Sequence, residues 1–204
     1  MTRDHTPRPH RRDFLSSALA LPALTALVAR PADAQSGTLA PTPSCVEKGQ
    51  ATPSQTAGPF FKPRSPRRVS LLEPGMAGMR IIVAGVVLST ACRPIPGALL
   101  DVWHADDRGE YDNAGYRLRG HQFADEQGRY RLETIVPGVY TGRTRHFHVR
   151  VQAPNQPVLT TQLYFPDEPA NRSDGIFRPE LVLSVKAEAG IKAGAFDFVL
   201  AVPA

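Results

Sequence analysis

From residue 80 onward, apolar and polar positions alternate in short runs, each closed by turn residues. Arg80–Ser89 (RIIVAGVVLS) is rich in β-branched residues, and Ala98–His104 (ALLDVWH) follows after an RPIPG turn. Arg129–Ile135 (RYRLETI) and Arg145–Gln152 (RHFHVRVQ) alternate with a period of two, as half-buried strands do. Gln162–Phe165 and Ala195–Val202 complete the predicted strands. Asp106–Gly120 is polar and Gly-containing and predicts a loop; Asp125–Gly128 predicts a tight turn, and Pro137-Gly138 ends the strand Arg129–Ile135. Strands recur roughly every ten to twenty residues with no helical periodicity, which predicts an all-β fold, an antiparallel β-sandwich over residues 80–204. Residues 35–79 read as an irregular arm and linker, because 35–58 is dominated by Pro, Ser, Thr, Gln and Ala.

The first 34 residues follow a different pattern. Arg11 and Arg12 precede Asp13-Phe14-Leu15, a modest apolar stretch runs from Leu15 to Ala29, and Ala32-Asp33-Ala34 offers small residues for cleavage. This predicts a twin-arginine signal peptide over 1–34, hence a periplasmic or secreted protein. No apolar run reaches the ~20 residues of a membrane span, so no stable membrane anchor is expected.

Composition changes this picture only slightly. The chain of 204 residues, with 20 Pro and 16 Gly, suits one domain with an added tail. Its formal charge of +5 drops to +3 without residues 1–34, which carry five Arg and three Asp. That balance, with no basic stripe interleaved with aromatics, argues against a nucleic-acid partner. Cys45 and Cys92 are the only cysteines, and in an exported protein they predict one disulfide, two unpaired thiols being the other reading.

Candidate chemistry starts at His146-Phe147-His148. Residues two apart on a strand share a face, so two imidazoles would project side by side as ligands for one metal; two histidines on a solvated face would look the same. Tyr111 ends the run that starts at Trp103, and Tyr140 follows Pro137-Gly138-Val139; tyrosines in such places usually pack.

Taken together, these motifs resemble a known family. The ordered runs GALLDVWHADDRGEY (97–111), RGHQFADEQGRYRLETIVPGVY (119–140) and RTRHFH (143–148) are similar to the intradiol ring-cleavage dioxygenases. Thr52–Pro59 (TPSQTAGP) resembles the N-terminal arm of protocatechuate 3,4-dioxygenase subunits, and TQLYF (161–165) fits as well. The resemblance covers about residues 52–166. It implies an Fe(III) centre held by Tyr111, Tyr140, His146 and His148, with Arg143 and Gln162 beside the reacting ring and Pro59 and Phe60 lining the substrate pocket. Tyr140 is implied to be the ligand that leaves as the substrate binds. The partners implied are a catechol-type substrate and O2, and the family's habit of assembling allows a homo-oligomer. Two departures stand out: His104 where the family often has Gln, and Phe60 where the protocatechuate enzymes have Tyr. The arm, and the lack of an N-terminal helical domain, point to a protocatechuate-like relative, with catechol, hydroxyquinol or a larger lignin-derived phenol as other substrates.

The implied ligand set is chemically consistent. Phenolates are hard anions, and two of them with one hydroxide balance the three charges of Fe(III), so the centre can be buried without the cost of a bare ion. Neutral imidazoles complete the shell. Two other classes remain. A non-catalytic exported β-sandwich could bind calcium or carbohydrate through Asp106, Asp107, Glu110 and Asp112, although the D-x-D-x-D-G spacing is absent. A serine hydrolase would need a G-x-S-x-G elbow, which the chain lacks.

Overall fold

The computed structural model describes residues 50–202, so the expected signal peptide and Cys45 lie outside the described residues. Nine strands occur among the described residues: β1 (Arg80–Ser89), β2 (Leu99–Trp103), β3 (Arg119–Phe123), β4 (Arg129–Ile135), β5 (His146–Gln152), β6 (Leu159–Tyr164), β7 (Ser184–Glu188), β8 (Ile191–Ala195) and β9 (Phe198–Leu200). Two short 3-10 turns, Pro169–Arg172 and Pro179–Leu181, lie between β6 and β7. No helix among these residues is long and apolar enough to cross a membrane.

The strands form the expected two-sheet sandwich. One sheet has the order β3-β2-β5-β6 and is antiparallel throughout. The other has the order β4-β1-β8-β7, with β9 also beside β1, and is mixed because β8 and β9 both run parallel to β1. Alternation sends Leu100 and Val102 of β2 and Phe147, Val149 and Val151 of β5 into the interior, against Ile81, Val83 and Val87 of β1, Leu132 of β4 and Phe198 and Leu200 of β9. Each fully buried side chain of this kind contributes roughly 1.5–3 kcal/mol relative to exposure.

The structure differs from the predicted strands in three places. RGHQF forms β3 although it carries no apolar alternation; Gly120 and Gln122 are buried, and Gly120 sits under Leu71 of the arm, whose side chain a Cβ would meet at 2.7 Å. The β7–β8 hairpin is polar and small, so its period is silent. The predicted strand 195–202 breaks at Phe196-Asp197. There the chain bulges over Gly85 of β1: a Cβ on Gly85 would lie 1.8 Å from the Phe196 carbonyl oxygen. Asp197 Oδ1 takes the Val86 amide at 2.8 Å, and the Tyr130 hydroxyl donates to the Phe196 carbonyl at 2.8 Å. Gly85→Ala is therefore expected to cost about 3 kcal/mol, the upper end for overpacking, read as a lower denaturant midpoint.

The arm is irregular, yet it has a definite task. Exposed strand edges invite pairing with other chains. The Gln55 amide donates to the Thr160 carbonyl of β6 at 2.7 Å, and Arg68 and Glu133 amides pair the arm with β3 and β4, donating to His121 at 2.9 Å and to Val69 at 2.9 Å. One stretch of chain thus covers three edges. Cys92 lies just beyond β1 with φ 61 and is not a free thiol.

Candidate metal centre

The site is built on the outer face of the four-stranded sheet. Alternation that puts Phe147, Val149 and Val151 inside puts His146 and His148 outside. Pairing register then aligns a row across all four strands: Arg119 of β3 opposes Trp103 of β2, which opposes His148 of β5, which opposes Gln162 of β6. In the adjacent position His146 opposes Tyr164. The arm and the loops cover this face, so His146 and His148 are only 4% and 2% exposed.

The predicted histidine pair does converge. The two Nε2 atoms are 3.1 Å apart, and the Tyr111 hydroxyl lies 3.4 Å from His146 Nε2. Two nitrogens bound at about 2.1 Å to one ion at a right angle would be separated by ~3 Å. His146 Nδ1 lies 2.6 Å from the Thr144 carbonyl oxygen. A carbonyl only accepts, so Nδ1 carries the proton and Nε2 presents a lone pair. The His148 ring stacks on Trp103 at 5.0 Å and 2°, and its Nδ1 is buried without a partner. Gly58, with φ 64, brings the arm over this ring; a Cβ there would sit 3.1 Å from His148 Cε1.

Both tyrosines arrive on loops that press together. Tyr111 follows β2 and Tyr140 follows β4. Gly109 and Gly138, each two residues before its tyrosine, let the loop backbones meet: a Cβ on Gly138 would be 2.3 Å from the Gly109 nitrogen, and the Gly138 amide donates to the Asp106 carbonyl at 2.6 Å. The half-buried rings of Tyr111 and Tyr140 stand 5.9 Å apart at 79°. Phe60 fills the angle between them, stacked on Tyr111 at 4.2 Å and edge-on to Tyr140 at 5.4 Å. Pro59 beside it is exposed on the turn.

Arg143 and Gln162 are brought together as well, by residues to which the sequence attached no role. Arg143 Nη2 donates to Gln162 Oε1 at 2.7 Å, and its Nε donates to Asp174 Oδ2 at 2.8 Å. The same Asp174 oxygen accepts the Thr144 amide at 2.9 Å, tying the 174–177 loop to the turn between Tyr140 and His146. Gln162 Nε2 donates to the Thr56 carbonyl at 3.0 Å, and the Tyr164 hydroxyl bonds Gln55 Oε1 at 2.7 Å, so the arm is pinned here too. Asp174 sits in a loop with no periodicity, and no sequence signal marks it.

Electrostatics suit a metal with anionic ligands. Burial lowers the His146 pKa to about 4, and burial together with the neighbouring His146 holds His148 well below the usual histidine range. Both imidazoles are therefore neutral and ready to ligate. Burial pushes the Tyr111 phenol up to about 12, against the pull of Arg143 and Arg119. A bound cation is what would make it a phenolate. No group of three His, Cys, Asp or Glu side chains suited to a metal occurs among the described residues; the further donor that approaches the histidines is the Tyr111 hydroxyl. The two converging imidazole nitrogens and the Tyr111 phenol fit the ferric ion that the motifs imply.

The remaining candidates fall into place. His104 is 1% exposed and not a ligand; its ring nitrogens lie 2.7 Å from the Ala105 carbonyl oxygen and 2.7 Å from Thr134 Oγ1. Burial lowers its pKa to about 4. The unfolded chain, with histidine near 6.5, then binds the extra proton between those values. His104 thus costs no stability above pH 6.5 and weakens the fold progressively as pH falls toward 4. His104→Gln is expected to flatten this decline, read as melting temperature against pH. Trp103 is buried but faces outward. The acidic cluster is consumed by its own loop: Asp106 Oδ1 takes the Arg108 and Glu110 amides at 2.9 and 3.0 Å, and Asp112 takes those of Ala114, Gly115 and Arg117 at 3.0, 2.7 and 2.8 Å. That leaves little for calcium.

Known proteins share this architecture. The family profile described as "Dioxygenase" matches residues 57–202. A chlorocatechol 1,2-dioxygenase of Rhodococcus opacus is 32% identical over 68% of this chain and 66% of its own length. A hydroxyquinol 1,2-dioxygenase of Nocardioides simplex is 31% identical over 63% of this chain and 52% of its own. The chain thus spans about half to two thirds of these curated relatives. Among solved structures, the dioxygenase domain of a dioxygenase–carbohydrate-binding protein fusion from Streptomyces sp. SirexAA-E superposes with a TM-score of 0.74 at 51% identity, covering 76% of this chain and 100% of that one. With the profile spanning most of the described residues, the chain belongs to the intradiol ring-cleavage dioxygenase family.

Proposed function

We propose that the chain is a non-haem Fe(III) dioxygenase that opens a catechol-type ring between its two hydroxylated carbons, inserting both atoms of O2 to give a cis,cis-muconate-type diacid. The observation that carries this reading is the meeting of His146 Nε2, His148 Nε2 and the Tyr111 hydroxyl within 3.1–3.4 Å, with the Tyr140 ring beside them. These four side chains would hold the iron. Bound there, iron would supply an electron-poor centre that activates a catecholate ring.

The chain's own residues do the rest. A catechol must shed two protons; Tyr140, half-buried at the loop end, would accept one on its phenolate oxygen, and a hydroxide would take the other and depart as water. Arg143 is fixed by Asp174 and Gln162 and stabilises negative charge developing on the opening ring. Phe60, packed between Tyr111 and Tyr140, gives the ring an apolar wall. The relatives' names specify catechol, chlorocatechol and hydroxyquinol, and a neutral catechol is the substrate class proposed here.

Purified mature protein is expected to contain one iron per chain, to be burgundy from phenolate-to-iron charge transfer, and to consume O2 with catechol, with protocatechuate and hydroxyquinol compared in parallel. Colourless protein holding stoichiometric iron would overturn the ligand set, and calcium dependence without iron would favour a binding module. We further propose twin-arginine export, which suits a protein that takes up its metal while folding. Replacing Arg11 and Arg12 by Lys should retain the precursor in the cytoplasm; undiminished export of that variant, seen by cell fractionation, would refute the route.

A further inference from the structure

Arg119 is among the largest fully buried side chains, 2% exposed, at the start of β3. Its Nε donates to the Asp112 carbonyl at 3.1 Å, its Nη1 donates to the Phe60 carbonyl at 2.5 Å, and its Nη2 is buried without a partner. Both acceptors flank Tyr111: Asp112 follows it in the chain, and the Phe60 ring lies on its phenol at 4.2 Å. Carbonyls orient a guanidinium without neutralising it. No carboxylate lies within ion-pair distance of Arg119 among the described residues. The nearby acids are committed elsewhere, Asp112 to three backbone amides and Asp101 to the Ser65 hydroxyl at 2.7 Å. A buried charge left without a counter-charge is costly, because it has lost its hydration. The residue before it, Leu118, adopts φ 55, a left-handed conformation that bulky side chains seldom take, so the chain accepts strain where Arg119 enters.

We propose that Arg119 is a positioning residue for Tyr111, anchoring the backbone and the ring on either side of it and serving as the counter-charge of its phenolate when iron is bound. This rests on the iron centre proposed above. Arg119 touches neither the substrate nor the reacting atoms; it acts through the ligand. The positive charge lowers the energy of the phenolate lone pairs, so charge transfer to iron needs more energy. Without it, the visible band should move to longer wavelength and the iron reduction potential should fall. Carboxylates and carbonyls beyond a metal's direct ligands commonly alter its affinity by 10–100-fold, and the same scale is expected here.

The test uses iron-loaded protein, with folding checked by circular dichroism and iron retention measured against a chelator. Arg119→Gln keeps a hydrogen-bonding side chain and removes the charge; Arg119→Lys keeps the charge and loses the fork. Arg119→Gln is expected to shift the band to longer wavelength and weaken iron retention about tenfold or more. Arg119→Lys should keep the wild-type band while retaining iron less well. Wild-type band and retention in Arg119→Gln would overturn the proposal, as would equal band shifts in both variants, which would signify packing alone. If Arg119→Gln does not fold, Arg119→Lys decides, and wild-type retention in it overturns the anchor. A wild-type protein with neither iron nor colour overturns the iron centre itself, whereas a coloured wild type with an unresponsive Arg119→Gln overturns only Arg119.

Discussion

Tyr111→Phe will weaken and shift the charge-transfer colour of the iron-loaded protein and lower kcat/KM for catechol by at least ~1,000-fold, about 4 kcal/mol of transition-state stabilisation. The substitution deletes one oxygen and leaves the ring, so the stack on Phe60 at 4.2 Å and the fold around it survive. The lost atom is the one that lies 3.4 Å from His146 Nε2. Without it the shell has one anion fewer, Fe(III) loses half of its phenolate compensation, and the remaining charge sits in a poorly hydrated site. His148→Ala should match it in activity but also lose stability, because it removes a ring stacked on Trp103. Visible spectra and oxygen uptake read the first effect, and thermal melting separates the second. An unchanged visible spectrum with full turnover in either variant would remove that residue from the metal shell.

Gly138→Ala should be nearly as damaging although it touches no ligand. The added Cβ would lie 2.3 Å from the Gly109 nitrogen and 2.5 Å from the Asp107 carbonyl oxygen. Both are backbone atoms and cannot swing aside. The loops must part, and the hydrogen bond from the Gly138 N–H to the Asp106 carbonyl is lost with them. A cost of about 2–4 kcal/mol follows from overpacking plus the broken bond. Since Tyr111 and Tyr140 ride on these two loops, their 5.9 Å spacing opens and the charge-transfer band weakens. Gly142→Ala is the control: its Cβ meets nothing within 4 Å, so only the left-handed φ of 79 opposes it, at a cost of roughly 1 kcal/mol. Equal losses in the two variants would show that the close approach of the loops is unimportant.

Much of this was legible locally. RYRLETI forms β4 over the predicted residues, because a period of two needs only the chain itself to be read. H-x-H put two imidazoles on one face for the same reason, and their rings lie 4.7 Å apart. The strand RGHQF was not legible, since its pattern reflects a covering arm rather than water on one side. Asp174 was invisible too: it meets Arg143 across 31 residues of loop and strand.

The sequence by itself determined the strand alternation, the pairing of the two histidines on one face, the turns that present Tyr111 and Tyr140, and the order of motifs that marks the family. These depend on neighbours within a few residues, where backbone geometry is fixed by local chemistry. Only the tertiary structure decided that Arg119, Trp103, His148 and Gln162 share one row, that the arm covers three strand edges, and that an uncompensated guanidinium lies beside Tyr111. Strand register and loop closure join residues far apart in the chain, and their free energy comes from burial and pairing that exist only once the sheet has formed.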